Sequence, residues 1–225
     1  MANKYKYTYG RKVTENKYMN DVISLPTKDN KPDWEFMERY ICYLKHKKLS
    51  TNNKRFRAID ISKWVEFRFG DLISNIYKGR ALNKDDLLEV DKGGRYIRYI
   101  TRTAIDNGCE LFASLDNIND EFIESGNAIT IGDTTATCFY QDEPFITGDH
   151  MVVVRADWLN KYTGIYIVAI LTNEQYKYSY GRAYLMDRIK DTILKLPAKK
   201  IDDILVPDWE YMEKYIKSLP YGDRL

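Results

Sequence analysis

The feature that most constrains this sequence is an internal repeat, which occurs once near each end of the chain. The decapeptide PDWEFMERYI at residues 32–41 returns as PDWEYMEKYI at residues 207–216. Upstream, YKYTYGR at 5–11 matches YKYSYGR at 176–182, and a Leu-Pro pair precedes each decapeptide. An internal repeat bears on the whole fold, because each copy is expected to form the same local structure. We infer one complete module, preceded by the end of an earlier copy.

Both decapeptides are predicted to begin short amphipathic helices, over residues 33–48 and 208–219. In each copy an aspartate after the proline can cap the helix, and glutamates suit the first turns. Trp, Met, Tyr and Ile then follow at helical spacing. Because an amphipathic helix must bury its apolar face, we expect these helices to pack against each other or to dock on a partner. The expected docking anchors are Trp34, Met37, Tyr40, Trp209, Met212 and Tyr215.

The stretch between the two copies has the pattern of a β-rich globular domain. Alternating apolar and polar residues predict a strand over residues 61–69. Shorter strands, bounded by Gly, Asp or Asn, are predicted at 95–101, 128–131, 137–140 and 151–155. A helix is predicted at 158–176 and a last strand at 191–196. This order predicts an α+β fold, divided into residues 1–49 (the end of a preceding repeat with its helix), 50–197 (the globular domain) and 198–225 (the repeated helix).

Composition narrows the possible functions. The formal net charge is +2, from 35 Lys and Arg against 33 Asp and Glu, so nucleic-acid binding would depend on clustered charge. The cysteines, Cys42, Cys109 and Cys138, are scattered, which argues against a disulfide framework and a zinc site and favours the reducing cytoplasm. The sequence has no signal-peptide pattern and no apolar run of the ~20 residues that span a bilayer. We expect no metal, no cofactor and no membrane association.

Recognisable catalytic motifs are missing from the sequence: it has no phosphate-binding glycine loop, nucleophile elbow or HExxH pair. His150 follows Gly148 and Asp149 in a predicted turn and could act as a general base. A lone histidine in that position is more typical of a structural or ligand-contacting group. We therefore expect that the chain is not an enzyme.

Three segments are candidates for contact with another molecule. Residues 45–57 carry six Lys and Arg and no acid, which fits either a phosphate-contacting linker or a solvated loop. Residues 92–103 interleave arginines with Tyr and Ile after a Gly-Gly pair. They fit either a strand that approaches a DNA backbone or an exposed strand with ordinary surface arginines. The third segment, 178–182, belongs to the repeat, which does not separate packing from binding.

Four motifs in the middle of the chain resemble target recognition domains of restriction-modification specificity subunits. In order, they are WVEFRFGDLI at 64–73 with YKGR at 77–80, RYIT at 98–101 with DNG at 106–108, ITIGD at 129–133 with CFYQDEPF at 138–145, and LKLP at 194–197. The resemblance runs from about Ile61 to Pro197. It is to the DNA specificity subunits of Type I systems and to the related parts of Type IIB and IIG enzymes.

The resemblance implies a module that reads one half of a bipartite site in double-stranded DNA and docks on a methyltransferase subunit, with the restriction subunit as a further expected partner. Full-length family members hold two such domains, which would explain the repeat as one domain and the stump of another. A C2 homodimer through the repeated helices would rebuild that arrangement. The alternative is an interaction factor of phage or mobile-element type, which occupies a methyltransferase or restriction complex without reading DNA and would not need the basic segments.

Base contacts in this family come from loops and strands of the globular domain, at positions that vary. The contact residues expected here are therefore chosen for their chemistry. They are Lys78, Arg80, Arg95, Arg98, Thr101, Arg102, Thr134, Thr135, Tyr178 and Arg182.

Overall fold

The protein is described by a computed structural model. It describes residues 24–44, 64–90, 94–179 and 181–225, residues 60–62, and Met19, Val22, Thr51 and Asn53; for residues 42–44 it gives the backbone only. The chain divides into two compact units, Met1–Ser50 and Thr51–Leu225. Within the described ranges, no helix has the length and apolar character needed to cross a membrane.

The first unit contains a small hairpin followed by a helix. Strands β1 (Thr27–Lys28) and β2 (Lys31–Pro32) pair antiparallel around a turn in which two residues have positive φ. Helix α1 (Trp34–Leu44) begins directly afterwards. Its first turn is capped as predicted, because the Asp33 carboxylate accepts a hydrogen bond of 2.8 Å from the Phe36 backbone N–H. The predicted continuation over 45–48 lies outside the described residues.

The second unit ends with the same arrangement. Strands β12 (Ala198–Ile201) and β13 (Ile204–Pro207) pair antiparallel around a turn with two positive φ angles, and helix α4 (Trp209–Ser218) follows. Asp208 caps α4 by accepting a 3.1 Å hydrogen bond from the Tyr211 backbone. The repeat is therefore one structural unit, hereafter the hairpin–helix unit, which the chain builds twice.

The two hairpin–helix units share their hydrogen bonds but differ in strand length. The backbone N–H of Asp33 donates to the carbonyl of Pro26 at 2.8 Å, and that of Asp208 donates to the carbonyl of Pro197 at 2.9 Å. Each strand has 2 residues in the first hairpin and 4 in the second. This extension lengthens the second hairpin without altering the helix cap that follows it.

Three sheets build the domain that precedes the second hairpin–helix unit. The strands are β3 (Val65–Arg68), β4 (Asn75–Lys78), β5 (Tyr96–Ile100), β6 (Cys109–Ser114), β7 (Ala128–Gly132), β8 (Cys138–Gln141), β9 (Phe145–Thr147), β10 (Met151–Arg155) and β11 (Ile193–Leu196). A four-stranded antiparallel sheet has the order β4-β10-β7-β8, a three-stranded sheet has the order β6-β5-β9, and β3 pairs with β11. In the three-stranded sheet β6 is antiparallel and β9 parallel to the central strand β5.

Helix α2 (Lys161–Thr172) links the central sheet to the second hairpin–helix unit. Asn160 caps it through hydrogen bonds from the backbones of Tyr162 and Thr163, so the helix begins later than the predicted residue 158. It packs against β7 and β8 on one side and against α4 on the other. The short helix α3 (Met186–Lys190) adds the buried Ile189 to the same core.

The α+β fold expected from the sequence is confirmed, and every strand predicted from the sequence is present. Strands β4, β6 and β9 and the two hairpins were not predicted. The C-terminal helix lies in the same compact unit as the globular domain, because Met212 and Ile216 belong to its hydrophobic core.

Candidate nucleic-acid interface

Four loops of the second unit meet around an open cleft of about 800 Å³. One loop follows β4, one follows β5, one joins β7 to β8, and one precedes β10. The residues that line the cleft are Ala81, Leu82, Asn83, Lys84, Tyr99, Thr101, Arg102, Thr103, Glu110, Thr135 and Asp149. On one wall, a hydrogen bond from Lys84 lowers the pKa of Glu110, so this acid is paired at neutral pH. The cleft therefore combines cationic, hydroxyl and carboxylate groups on short, anchored loops.

Arg102 is clamped to the loop between β7 and β8. Its Nη1 donates to Oγ1 of Thr134 at 2.9 Å, and its carbonyl accepts hydrogen bonds of 3.4 Å from the hydroxyls of Thr135 and Thr137. Gly132 is required for this contact, because a Cβ there would lie 2.7 Å from both hydroxyl oxygens. The structure thus brings three of the predicted contact residues, Arg102, Thr134 and Thr135, into one place.

A buried carboxylate lies next to this clamp. The Asp133 side chain is 2% exposed, and its oxygens lie 3.6 Å from Nζ of Lys78 and 3.0 Å from Nδ1 of His150. Nε2 of the same imidazole lies 3.2 Å from Oδ2 of Asp149. A buried charge is costly unless it is paired and hydrogen-bonded, and these contacts supply the pairing. They also hold Lys78, another predicted contact residue, with 57% of its side chain exposed.

Tyr178 and Arg182 are joined to the same region through Tyr184. The ring of Tyr178 stacks on that of Tyr184 with centroids 4.1 Å apart, and the Arg182 guanidinium lies 5.9 Å from the Tyr178 ring. Burial raises the pKa of the Tyr184 hydroxyl. The backbone N–H of Tyr184 donates to the carbonyl of Asp133 at 2.6 Å. Two residues predicted from the repeat are thereby tied to the loop that carries Thr134 and Thr135.

The remaining predicted arginines lie elsewhere. Arg80 is paired with Glu121, and Arg95 lies 3.2 Å from Asp116. The side chain of Arg98 is 13% exposed and lies 3.6 Å from a carboxylate oxygen of Asp142. Arg95 and Arg98 were expected along an exposed strand, but β5 is the central strand of its sheet, with Ile97 and Tyr99 buried. From this segment, Tyr99 of β5 and the loop after it, which holds Thr101 and Arg102, reach the cleft.

Most of the basic segment at 45–57, including His46, lies outside the described residues, as do Lys92 and Gly93. Two residues of that segment are described: Asn53 contacts the end of α4, and Thr51 contacts the C-terminal turn that follows it. The Asn53 amide donates to the carbonyls of Lys217 and Leu219 at 2.6 and 2.9 Å. The Thr51 hydroxyl donates to Asp223 at 2.8 Å.

The predicted docking anchors differ between the two copies. In α1, Trp34 is 67% and Tyr40 is 52% exposed, and Met37 is partly buried. In α4, Met212 is fully buried and Trp209 stacks on Trp158. Tyr215 of α4 packs edge-on against the buried Tyr166, with ring centroids 6.0 Å apart. These contacts hold α4 to its own domain, and docking of a partner on its anchors stays a prediction.

The described cysteine side chains, Cys109 and Cys138, are both buried. Burial raises the pKa of Cys138 to about 12, so its thiol is protonated at neutral pH and is a poor nucleophile. Among the described residues, no group of three or more His, Cys, Asp or Glu side chains is placed to hold a metal ion.

Comparison with known proteins gives one family match and several similar proteins. Residues 61–219 match the Type I restriction modification DNA specificity domain. The specificity subunit S.BcgI of a Type II restriction enzyme from Heyndrickxia coagulans is 26% identical over 228 residues, which cover 95% of this chain and 62% of that subunit. The chain thus spans about three fifths of that relative's length.

Two solved structures are also similar. The S subunit of a Type I restriction-modification system from M. genitalium has a TM-score of 0.48 and 14% identity, over 72% of this chain and 40% of that subunit. The HsdS subunit from Thermoanaerobacter tengcongensis has a TM-score of 0.47 and 11% identity, over 76% of this chain and 39% of that subunit.

Proposed function

The chain belongs to the family of Type I restriction modification DNA specificity domains, and we propose that it reads one half of a bipartite site in double-stranded DNA. It does so in the cytoplasm, as the specificity part of a restriction-modification system. On this proposal the chain has no catalytic activity, and partner subunits carry out methylation and cleavage.

The observation that carries the proposal is the fixed position of Arg102 at the cleft. One nitrogen of its guanidinium donates to Thr134, and its other N–H groups make no hydrogen bond to any residue that the structure describes, so they can donate to a base. Arginine pairs with the O6 and N7 acceptors of guanine through two parallel hydrogen bonds. Lys78, anchored by Asp133, supplies a point charge of the kind that contacts phosphate. The cleft thus offers a base contact at Arg102, and Lys78, held by the neighbouring Asp133, offers a backbone contact.

Selection of the purified protein on a random-duplex library at two salt concentrations tests this proposal. Enrichment of a short motif that survives the higher salt supports base recognition. Phosphate contacts weaken steeply with salt, so binding that disappears with no enriched motif overturns the proposal. That outcome would favour the interaction factor that occupies a partner complex without reading DNA.

The variant Arg102→Lys sharpens the test, because lysine keeps the charge but lacks the planar pair of donors. Discrimination at one base pair should fall by about tenfold, corresponding to the ~1–3 kcal/mol of a bidentate contact, while binding to unrelated DNA is retained. Arg68→Lys is the matched control, at an exposed arginine paired with Asp71 and Asp191. Equal loss of discrimination in both variants would contradict the assigned role of Arg102.

We further propose that the apolar face of α1 docks on a methyltransferase subunit. Trp34, Tyr40 and Ile41 are 67%, 52% and 56% exposed. Clustered exposed aromatic residues are typical of interaction sites and of binding hot spots. The equivalent residues of α4 are packed against aromatic side chains of their own domain, which indicates that this face of the repeat is built to be covered.

Binding of the wild-type chain and of the double variant Trp34→Ala/Tyr40→Ala to the methyltransferase subunit of the same system tests the docking. The affinity should fall by about tenfold or more, and Tyr176→Ala, at a tyrosine 82% exposed, should leave it unchanged. Light scattering of the chain alone gives the other possible outcome. A dimer that the double variant dissociates would assign the face to a homodimer instead.

A further inference from the structure

We propose that His150 is a further DNA contact, made by its protonated imidazole, with Asp133 as its positioning residue. In the free protein the Asp149 carboxylate lies where an acceptor atom of DNA would contact Nε2 of His150. This inference rests on the proposed DNA-binding function and assigns a residue that the sequence left as structural or ligand-contacting.

The two ring nitrogens of His150 both face carboxylates. Nδ1 lies 3.0 Å from Oδ1 of Asp133, and Nε2 lies 3.2 Å from Oδ2 of Asp149. A neutral imidazole has one donor and one acceptor, whereas an imidazolium donates from both nitrogens. Carboxylates accept hydrogen bonds, so Nδ1 donates to Asp133, and protonation of Nε2 would add a donor that faces Asp149. The imidazole thus lies between two acids.

The two acids have different roles because their environments differ. Asp133 is 2% exposed and is further fixed by its backbone, whose N–H donates to the His150 carbonyl at 3.0 Å. Asp149 is 78% exposed and lines the cleft. The contact at Nδ1 is therefore built into the fold, and the contact at Nε2 is open to exchange. A phosphate oxygen or a base acceptor that enters the cleft can replace the Asp149 carboxylate there.

The backbone holds the ring next to Asp149, which lines the cleft. His150 has a φ of 63°, a left-handed conformation that is uncommon for residues other than glycine. Its N–H donates to Oδ1 of Asp149 at 2.8 Å, which stabilises the turn. The ring is 42% exposed, so Nε2 is accessible while Nδ1 is held. Unusual backbone conformations of this kind are common at functional sites.

The charged groups around the His150 ring determine whether each substitution strengthens or weakens DNA binding. The charged groups that face it are Asp133 and Asp149, and Lys78 faces Asp133 from β4. In the free protein the two acids lie against the Lys78 ammonium and the His150 ring. When DNA supplies the acceptor for Nε2, Asp149 loses its partner and repels the phosphates. Removal of Asp149 should therefore strengthen DNA binding, whereas removal of Asp133 or His150 should weaken it.

Fluorescence anisotropy with the selected duplex at pH 6 and pH 8 tests the inference. Because a hydrogen bond from a charged group is worth about tenfold in affinity, the wild-type chain should bind about tenfold more tightly at pH 6 than at pH 8. His150→Gln should remove this difference and reduce the salt dependence at pH 6 by the equivalent of about one phosphate contact. The chain contains 2 histidines, so His46→Gln decides whether the other one carries the effect.

Three further variants distinguish replacement of the Asp149 carboxylate by a DNA acceptor from a general electrostatic effect. Asp149→Asn should bind DNA about threefold more tightly, as expected from loss of one competing charge near a phosphate. Glu210→Gln removes a charge from an exposed acid of α4 and should leave binding unchanged. Asp133→Asn should lose affinity at pH 6, and thermal unfolding of each variant reports whether it remains folded.

The outcomes separate this inference from the function on which it rests. A pH dependence that persists in His150→Gln, or that disappears in His46→Gln, overturns the inference while DNA binding stands. So does an Asp149→Asn variant that gains no more affinity than Glu210→Gln. Failure of the wild-type chain to bind any duplex overturns the proposed function and this inference together.

Discussion

In the first hairpin–helix unit the side chain of Trp34 is 67% exposed, whereas the equivalent Trp209 of the second unit stacks on Trp158 with ring centroids 4.1 Å apart. The two units have nearly the same sequence, the same aspartate cap and the same backbone hydrogen bond to a proline carbonyl. Local sequence therefore determines the shape of the unit, and the neighbouring domain determines whether its apolar face is covered. Three pairs of matched substitutions test this difference.

The largest effect is expected at the paired methionines Met212 and Met37. Met212 is fully buried in the core of the second unit, and truncation of such a side chain to alanine typically costs ~2–5 kcal/mol. Met37 is only partly buried, so Met37→Ala should cost less than ~1 kcal/mol. Urea denaturation of both variants measures the difference. Similar losses of unfolding free energy would mean that the first copy is covered as thoroughly as the second.

A smaller effect is expected at the two helix caps. Loss of an N-cap aspartate costs about 1 kcal/mol of helix stability. Asp208→Ala should lower the stability of the whole domain by that amount, because α4 is part of the domain core. Asp33→Ala should instead increase hydrogen exchange in the first turns of α1 and leave the main unfolding transition in place. A shift of that transition by Asp33→Ala would show that the two helices are coupled.

The smallest effect is expected at the exposed ion pairs of α4. A hydrogen bond from Lys217 lowers the pKa of Glu213 below its ordinary 4.5. A carboxyl group whose pKa is lower in the folded protein than in the unfolded chain stabilises the fold at pH values above the pKa of the unfolded chain. That contribution is lost as the pH falls through the pKa of the folded protein.

Glu213→Gln should therefore lower the melting temperature slightly at pH 7 and have almost no effect at pH 3. In α1 the residue four positions after Glu38 is Cys42 rather than a lysine, so Glu38→Gln serves as the matched comparison. A pH-independent loss in Glu213→Gln would point to packing rather than to charge.

The features that the sequence predicted correctly are those set by neighbouring residues. The caps at Asp33 and Asp208 were predicted because a capping aspartate and its helix lie within one turn. The two hairpins were missed, because their turns at Asp29–Asn30 and Asp202–Asp203 lack the glycine that usually marks a two-residue turn. No local signal distinguishes Trp34 from Trp209, since the side chains that cover Trp209 come from another part of the chain.

The candidate site also depends on contacts between residues that are distant in the sequence, for which there is no local signal. The resemblance to a known family indicated the domain, but the clamp between Arg102 and Thr134 joins residues 32 positions apart. Asp133 was quoted only as part of a motif, although it is the buried acid that connects Lys78 to His150. A carboxylate that follows a mostly apolar strand such as β7 is a usable signal for such a group, because its burial requires a cationic partner.

The pairing of β3 with β11 affects the order of events during synthesis of the chain. Val65 pairs with Leu196, so the first strand of the second unit joins the last strand before the second hairpin–helix unit. At ~5–20 residues per second, β3 waits on the order of ten seconds for its partner. During that time Trp64 and Phe67, which pack against the finished core, are without the side chains that cover them. We expect the domain to close only after translation has passed β11, with the second hairpin–helix unit, which follows immediately, docking as the last step.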